Sequence, residues 1–142
     1  MDELNFCEFD LVVTSCKRMD LLERTLQSFK HYADFQPTNV FVIEDFPTPN
    51  VQEVVKGIYP QAKVIVNDPQ LGQMGSINRV YSYVVSEYVF HCEDDWEFYR
   101  TGFLSSSLRL LKQFPLMSMV SLRPRHELNP KVKHQPKLYF ED

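Results

Sequence analysis

The sequence predicts an α/β domain in which a mostly parallel sheet is covered by helices on both faces. Short apolar runs rich in β-branched residues alternate along the chain with longer amphipathic segments, which is the order of β-α-β units. Acidic residues directly follow two of the apolar runs, at Glu44-Asp45 and at Glu93-Asp94-Asp95. In an open α/β sheet the carboxyl ends of the strands meet at one edge, where ligands bind. We therefore expect a site at that edge.

Three strands are predicted in the first half of the chain. Strand one spans Phe9 to Ser15, strand two Asn39 to Asp45 and strand three Ala62 to Asn67. Each contains a short run of β-branched or aromatic residues, which is typical of a buried strand.

Helices are predicted between these strands. Asp20 is the expected N-cap of a first helix that runs to about Tyr32 and carries an apolar face on one side. Val51 to Ile58 predicts a short second helix, which Pro60 ends. After a turn rich in Gly, Pro and Asp, a third helix is expected from about Gly75 to Val85.

The second half of the chain continues the alternation. An apolar run at Glu87 to Phe90 predicts a buried fourth strand that leads into the acidic triplet. A helix is expected at about Phe103 to Phe114, and Leu116 to Leu122 predicts a fifth strand. The remainder is expected to be a loop-rich tail with a short strand at Leu138 to Phe140.

Composition limits the class of protein. The chain has 142 residues, roughly one domain, with 44% hydrophobic and 24% charged residues, as in soluble globular proteins. A net charge of −4 and the absence of a Lys/Arg-rich run argue against nucleic acid as a partner. The 3 cysteines lack C-x-x-C spacing, which favours a reducing compartment. Without a signal peptide or a long apolar run, we expect a cytoplasmic chain with no membrane segment.

Polar side chains follow each of the first four predicted strands. Each one alone is more simply explained as a turn former or a solvated strand end. Together they predict a polar ligand site, in which an arginine could pair with a phosphate or a carboxylate. The residues are Thr14, Ser15 and Arg18 after strand one, Glu44 and Asp45 after strand two, Asn67 after strand three, and Glu93, Asp94 and Asp95 after strand four.

The acidic triplet is the centre of this prediction. Adjacent carboxylates repel one another, so their clustering is costly unless a cation, a hydroxyl-rich ligand or water offsets the charge. A solvated turn, or a helix cap at Asp95, is the simpler explanation of the triplet by itself. Trp96 next to it either stacks on a sugar or nucleobase or anchors the loop in the core. His91 is expected to be packed or hydrogen-bonded rather than catalytic.

Several motifs stand at characteristic spacings. A strand ending in Val12-Val13-Thr14-Ser15 precedes Leu21-Leu22-Glu23-Arg24-Thr25-Leu26-Gln27-Ser28, and Val42-Ile43-Glu44-Asp45 ends the second strand. Asn78 follows Gly72 by six positions (78 − 72), and Glu93 follows Asn78 by 15 (93 − 78). Over about residues 9 to 122 this pattern resembles the nucleotide-sugar-dependent glycosyltransferases of the GT-A fold, in particular the large inverting family 2. Glu-Asp-Asp stands where that family has its Asp-x-Asp motif.

The resemblance implies a role for these residues. Thr14, Arg18 and Asp45 match positions near the nucleoside base, and Glu93 would bind the ribose hydroxyls. Asp95 would ligate Mn²⁺ or Mg²⁺, hard cations that suit one carboxylate, diphosphate oxygens and water. The implied donor is a nucleoside-diphosphate sugar, with a UDP-sugar favoured, and the acceptor is a glycan or other hydroxyl compound. The implied nucleotide-sugar site comprises Thr14, Ser15, Arg18, Glu44, Asp45, Asn67, Gly72, Asn78, Glu93 and Asp94, of which Asp94 either is structural or touches the sugar.

The resemblance also divides the chain. Residues 1–142 would form one GT-A-like domain, with the donor-binding part at about 9–96 and an acceptor-side remnant at about 97–142. Only 47 residues follow Asp95 (142 − 95), so the chain is either a minimal version that lacks part of the acceptor half or the donor-binding part of a longer enzyme. In that remnant Glu127 is the candidate general base, and His126 and His134 are candidate additional metal ligands.

Two other functions stay open from the sequence. A non-catalytic module could retain the nucleotide-sugar crevice without the acceptor half. A metal-dependent phosphoryl-transfer enzyme would need carboxylates able to hold two metal ions together with a nucleophile. No such nucleophile stands out in the sequence.

Overall fold

The computed structural model describes residues 7–122, which form four strands and four helices in alternation. The strands are β1 (Phe9–Ser15), β2 (Asn39–Glu44), β3 (Lys63–Val66) and β4 (Tyr88–Glu93). The helices are α1 (Met19–Tyr32), α2 (Val51–Ile58), α3 (Gly72–Tyr81) and α4 (Phe103–Gln113). The predicted α/β class and the order of elements through α4 are confirmed.

The strands lie parallel in one sheet of order β3-β2-β1-β4. β1 is hydrogen-bonded between β2 and β4, and its Leu11, Val12 and Val13 are fully buried. After β3 the chain crosses to the other side of β1 to form β4. This reversal makes the carboxyl ends of β1 and β4 a topological switch point, which is where open α/β sheets bind their ligands.

Helices cover both faces of the sheet, as predicted. On one face, Leu26 and Phe29 of α1 and Val55 of α2 are buried in the larger hydrophobic cluster. On the other face, Val80 of α3 packs with Ile43 and other strand residues in a second cluster. Burying one such side chain stabilises the fold by about 1.5–3 kcal/mol. These two layers therefore hold the strand ends at fixed positions.

Aromatic packing anchors the segment that follows β4. The ring of Phe29 lies 5.1 Å from Phe90, 5.2 Å from Phe98 and 5.8 Å from Phe103, measured between centroids. Trp96 packs against Phe90 at 6.4 Å and against Phe98 at 6.0 Å. Of the two roles open to Trp96 in the sequence, the structure shows the anchoring one.

Asp10 joins three segments near the amino end of the sheet. Its Oδ1 accepts hydrogen bonds from Asn39 Nδ2 at 2.8 Å and Ser86 Oγ at 2.7 Å. Its Oδ2 accepts from the backbone N–H of Val85 at 2.9 Å and of Ser86 at 3.2 Å. Burial by itself would raise the pKa of Asp10, but these hydrogen bonds outweigh it and lower the pKa. The carboxylate stays ionised and fixes β1, β2 and the turn before β4.

Asp34 caps the start of α4 from the loop after α1. Its carboxylate accepts hydrogen bonds from the backbone N–H of Leu104 at 3.2 Å and of Ser105 at 2.8 Å, and from the Ser105 hydroxyl. The first N–H groups of a helix have no partner within the helix. We expect Asp34→Ala to lower the free energy of unfolding by about 1 kcal/mol in urea titrations. Asp34→Asn keeps one oxygen that can accept part of these bonds and should lose less. Equal stability of Asp34→Ala and the parent protein would contradict this role.

The predicted N-cap of the first helix is wrong. α1 begins at Met19 with Arg18 as its N-cap residue, and the N-cap side chain makes no capping hydrogen bond. The backbone sets the start instead, because Lys17 has a left-handed φ of 63° and Leu22 N donates to Arg18 O at 2.9 Å. Asp20 lies in the first turn, where its negative charge still interacts favourably with the helix dipole.

The predicted fifth strand at Leu116 to Leu122 is also wrong within the described residues. The segment contains no strand; it begins in a turn in which Met117 N donates to Phe114 O at 2.8 Å. A strand needs a neighbour for its backbone hydrogen bonds, and no described strand pairs with this segment. The predicted strand at Leu138 to Phe140 lies outside the described residues.

The chain divides into two compact units, Met1–Ser105 and Ser106–Asp142. The sheet and all the site residues considered below that the structure describes belong to the first unit. The prediction of one domain over residues 1–142, with a donor part at about 9–96, stays a prediction. Among residues 7–122, none of the helices has the length and apolar character needed to cross a membrane.

Candidate functional site

The predicted site residues are grouped at the carboxyl edge of the sheet, and strand alternation divides them between its two faces. Successive side chains of a strand point to opposite faces. Ser15 and Asp94 therefore face α1, and hydrogen bonds confirm that they meet there. Thr14 and Glu93, their neighbours in sequence, face α3. The set on the α1 side is Ser15, Glu44 and Asp94, and the set on the α3 side is Thr14, Asp45, Asn67 and Glu93.

The set on the α1 side fixes the loop between β1 and α1. Asp94 is 1% exposed, and its Oδ2 accepts hydrogen bonds from Ser15 Oγ and Cys16 N, both at 3.2 Å. Glu44 Oε1 accepts from Lys17 N at 2.6 Å and Thr48 Oγ1 at 2.9 Å. Two buried carboxylates thus bind consecutive backbone N–H groups of one loop, which holds Lys17 in its left-handed conformation.

Arg18 bridges the second and third acids of the triplet. Its Nε donates to Asp94 Oδ2 at 3.2 Å and its Nη2 makes a short contact with Asp94 Oδ1, so the guanidinium grips that carboxylate with two nitrogens. Its Nη1 approaches Asp95 Oδ2 at 3.4 Å. Hydrogen bonding to Asp94 raises the pKa of Arg18 above its already high ordinary value. The predicted pairing of Arg18 with a nearby carboxylate is confirmed.

On the α3 side, Asp45 binds the start of α3. Its Oδ1 accepts from Leu71 N and its Oδ2 from Gly72 N, each at 2.8 Å. Burial would raise the pKa of Asp45, but these bonds and those from Asn67 and Ser76 lower it. The capping residue directly follows β2 and is distant in sequence, which explains why α3 begins at Gly72 rather than at the predicted Gly75. α3 also ends earlier than predicted, at Tyr81 instead of about Val85.

Asn67 connects Asp45 to the body of α3. Its Nδ2 donates to Asp45 Oδ1 at 2.8 Å and to Ser76 Oγ at 2.9 Å, while its Oδ1 accepts from Arg79 at 2.6 Å. Arg79 also donates to Val66 O at 3.0 Å. The end of β3 and the first two turns of α3 therefore form one hydrogen-bonded unit. Its buried polar groups specify how α3 sits against the sheet.

Glu93 and Thr14 face α3 through different partners. Gln73 Nε2 donates to Glu93 Oε1 at 2.9 Å. Thr14 Oγ1 is hydrogen-bonded to His91 Nε2 at 3.4 Å, and His91 Nδ1 to the Tyr81 hydroxyl at 3.1 Å. Burial lowers the pKa of His91, against a weaker opposing effect of Glu93. His91 is hydrogen-bonded, as expected, and its imidazole is neutral at physiological pH.

Sequence reasoning missed three residues of this site. Thr25 of α1 donates its hydroxyl to Asp94 O at 2.8 Å and to Trp96 O at 2.6 Å, and so fixes the turn that carries Asp95. A threonine within the apolar face of α1 was the available signal. Gln73 and Arg79 lie on α3. No local sequence pattern predicts their roles, because their hydrogen-bond partners lie in other segments of the chain.

The remaining predicted residues have separate positions. Gly72 is the first residue of α3, with a φ of 77° that favours glycine. Asn78 is exposed on α3. Glu127, His126 and His134 lie outside the described residues.

A divalent cation fits this site only if groups from outside the chain complete its set of ligands. Asp95 is an accessible carboxylate, with 42% of its side chain exposed. Glu93 is exposed as well but lies on the α3 side, and Asp94 is buried. Between Cys7 and Leu122 there is no cluster of three or more His, Cys, Asp or Glu side chains able to hold a metal ion. A hard cation at Asp95 would therefore depend on oxygen ligands from a bound molecule or from water.

Both the sequence and the fold of this chain are similar to those of known proteins. The sequence matches the family described as Glycosyl transferase family 2 over residues 10–141. The curated proteins contain no match. Solved structures do match: S. aureus TarS has a TM-score of 0.63 and 19% identity over 75% of this chain and 20% of that chain. A 1–349 form of TarS in complex with UDP has a TM-score of 0.62 and 17% identity over 75% and 32%.

A third similar structure is a mannosyltransferase. Mannosyltransferase PcManGT from Pyrobaculum calidifontis, in complex with GDP-Man and Mn²⁺, has a TM-score of 0.66 and 14% identity over 76% of this chain and 33% of that chain. The chain thus spans a third or less of each of these proteins, and at such identities the likeness establishes the fold. With the family match over nearly its whole length, the chain belongs to glycosyl transferase family 2 and has a GT-A-like fold.

Proposed function

We propose that this chain is the donor-binding part of a metal-dependent glycosyltransferase that moves a sugar, with inversion, from a nucleoside-diphosphate sugar to an acceptor hydroxyl. The observation that carries the proposal is the position of Asp95. It is an accessible carboxylate at the switch point between β1 and β4, next to a loop that two buried carboxylates hold rigid. Such a site offers one metal ligand and leaves room for a nucleotide to supply the others.

The proposed roles follow the two faces of the sheet. Asp95 would ligate Mn²⁺ or Mg²⁺, and such an ion stabilises the charge that develops on a departing nucleoside diphosphate. Glu93 and Thr14 on the α3 side would contact the nucleoside. Ser15, Glu44 and Asp94 would act by holding the loop before α1 in shape, since their side chains are buried and bonded within the chain. In this proposal Glu93-Asp94-Asp95 would have the role of the Asp-x-Asp motif.

The known ligands of similar structures guide the choice of donor. TarS was solved with UDP and with UDP-GlcNAc, and the Pyrobaculum enzyme with GDP-Man and Mn²⁺. We therefore propose a UDP-sugar or GDP-sugar as donor, with the UDP-sugar first. Glu127 is our proposed general base, and a hydroxyl of a glycan or a related compound is the proposed acceptor.

Thermal unfolding with a panel of nucleotide sugars tests the proposal. A ligand that binds only the folded state stabilises it by about 2.7 kcal/mol at a hundred times its Kd. We expect UDP or GDP sugars to raise the Tm in the presence of Mn²⁺, and the shift to disappear with a chelator. Nucleoside monophosphates, which lack the diphosphate oxygens, should stabilise less. The proposal is wrong if no nucleoside diphosphate gives a Mn²⁺-dependent shift.

A second function deserves a measurement of its own. The chain spans a third or less of the similar proteins, which favours a non-catalytic nucleotide-sugar-binding module as the second candidate. Release of the free sugar or its transfer to an added acceptor, followed by chromatography of the products, would identify an enzyme. Tight Mn²⁺-dependent binding without any turnover would identify the module.

A further inference from the structure

Arg18 shares one guanidinium between two carboxylates of very different exposure. Two of its nitrogens hold Asp94, which is buried, and the third approaches Asp95 at 3.4 Å. The side chain of Asp95 is 42% exposed and that of Arg18 is 48% exposed. The group is therefore anchored on the buried acid and presents its remaining positive charge to the accessible one.

The charges of the triplet differ as a result. The negative charge of Asp94 is offset by its contact with two nitrogens of Arg18. Glu93 lies on the other face of the sheet with Gln73. Asp95 keeps a negative charge that Arg18 offsets only in part. Arginine stays protonated in proteins, so a metal ion bound to Asp95 would lie beside a permanent positive charge. Like charges a few ångströms apart repel each other.

We propose that Arg18 is an internal counter-cation for Asp95 that competes with a divalent metal ion for this carboxylate. A metal ion alone then binds weakly, and it binds firmly only together with a nucleoside diphosphate. The nucleotide supplies further oxygen ligands, and its negative charge offsets that of Arg18. This inference rests on the proposed role of Asp95 as the metal ligand.

The contacts of Arg18 with Asp94 keep it beside Asp95, so it continues to compete with a metal ion. If Arg18 left the site, the buried Asp94 would lose its main counter-charge. An unpaired buried charge is strongly destabilising. The guanidinium is planar, so its three nitrogens move together. Its charge therefore stays next to Asp95 when a metal ion arrives. The nucleotide, rather than a swing of the arginine, must relieve the repulsion.

Titration of Mn²⁺ into the chain without nucleotide, with the free ion followed by electron paramagnetic resonance, tests this competition. Arg18→Gln should lower the Kd for Mn²⁺ by about three- to fivefold, the upper part of the range expected from a half-exposed charge pair. Arg24→Gln is the matched control, because Arg24 lies on α1 and pairs with the exposed Glu97 at 3.8 Å. It removes the same charge away from Asp95 and should leave the Kd unchanged within about twofold.

A second measurement does not depend on the stability of Arg18→Gln. Arg18→Lys keeps the charge, so it should bind Mn²⁺ as weakly as the parent chain. In the unmodified chain, addition of Mg²⁺ with UDP should shift the NMR resonance of the Arg18 Nε–H, while that of Arg24 stays in place. An unmoved Arg18 resonance during Asp95-dependent Mg²⁺ binding would overturn the inference.

The outcomes separate this inference from the proposed function. A gain in Mn²⁺ affinity for Arg18→Gln that disappears when Asp95→Asn is added supports both. Equal Mn²⁺ affinities of Arg18→Gln and Arg24→Gln, with UDP binding still dependent on Mn²⁺ and Asp95, overturn the counter-cation alone. If neither variant nor the parent chain binds UDP in a Mn²⁺-dependent way, the proposed function fails as well.

Discussion

Asp95→Asn is expected to reduce Mn²⁺-dependent binding of the nucleotide and any sugar transfer by about a hundredfold. The substitution keeps the shape of the side chain and removes the charge that a hard cation requires. Loss of a metal ligand in a catalytic site weakens charge stabilisation by several kcal/mol, and each 1.36 kcal/mol is a factor of about ten in rate. Calorimetric titration of UDP with Mn²⁺ and with a chelator measures the binding part of this effect.

Glu97→Gln is the control for that substitution. Glu97 is two residues further along the chain and 61% exposed, and it pairs with Arg24 at 3.8 Å instead of with Arg18. Its removal changes the net charge by the same amount without touching the proposed metal ligand. We expect it to bind UDP like the parent chain. If Asp95→Asn retained full Mn²⁺-dependent binding, Asp95 would have to be withdrawn as the metal ligand.

The largest loss of stability is expected from Asp10→Ala. Asp10 is fully buried and accepts four hydrogen bonds from Asn39, Val85 and Ser86. Alanine would remove the shared acceptor of these four part-buried hydrogen bonds, at a cost of about 3–5 kcal/mol. Small domains have a free energy of unfolding of about 5–15 kcal/mol in total. Urea unfolding followed by circular dichroism should show a large decrease of the midpoint or complete unfolding.

The same carboxylate predicts a dependence of stability on pH. The pKa of Asp10 in the folded chain is below its ordinary value of 3.8, as are those of Asp34 and Asp45. Their contribution is therefore complete above that value and is lost as the pH falls through it towards the folded-state pKa. Asp10→Asn should be less stable at neutral pH and lose less on acidification. An acid response of Asp10→Asn identical to that of the parent chain would contradict the assignment.

Local patterns were sufficient to predict the fold up to α4. The apolar runs and their spacing gave every strand of the sheet and the helices between them, because burial on both faces leaves a strong signal in sequence. Two of the errors share a cause. Asp45, which directly follows β2, caps the start of α3, and Leu116 to Leu122 has no described partner strand, so both outcomes depended on residues far away in the chain.

The candidate site was predicted as one group of residues, and the structure shows two. Thr14 and Ser15 are adjacent, so the alternation of a strand necessarily sends them to opposite faces. Applied to Glu44 and Asp45 and to Glu93 and Asp94, the same rule separates residues that face α3 from those that hold a loop. That division was available from the sequence. The bridging position of Arg18 was not, since it depends on how closely β1 and β4 approach.

The capping of α3 by Asp45 has a consequence for how a diphosphate can be held. In many dinucleotide-binding folds the first amides of a helix point at the phosphates and offset their charge. Here the amides of Leu71 and Gly72 are already taken by a carboxylate. A diphosphate near α3 would meet an occupied and locally acidic helix start. Under the proposed function, we therefore expect a diphosphate to be held through a metal ion at Asp95 rather than by the first amides of α3.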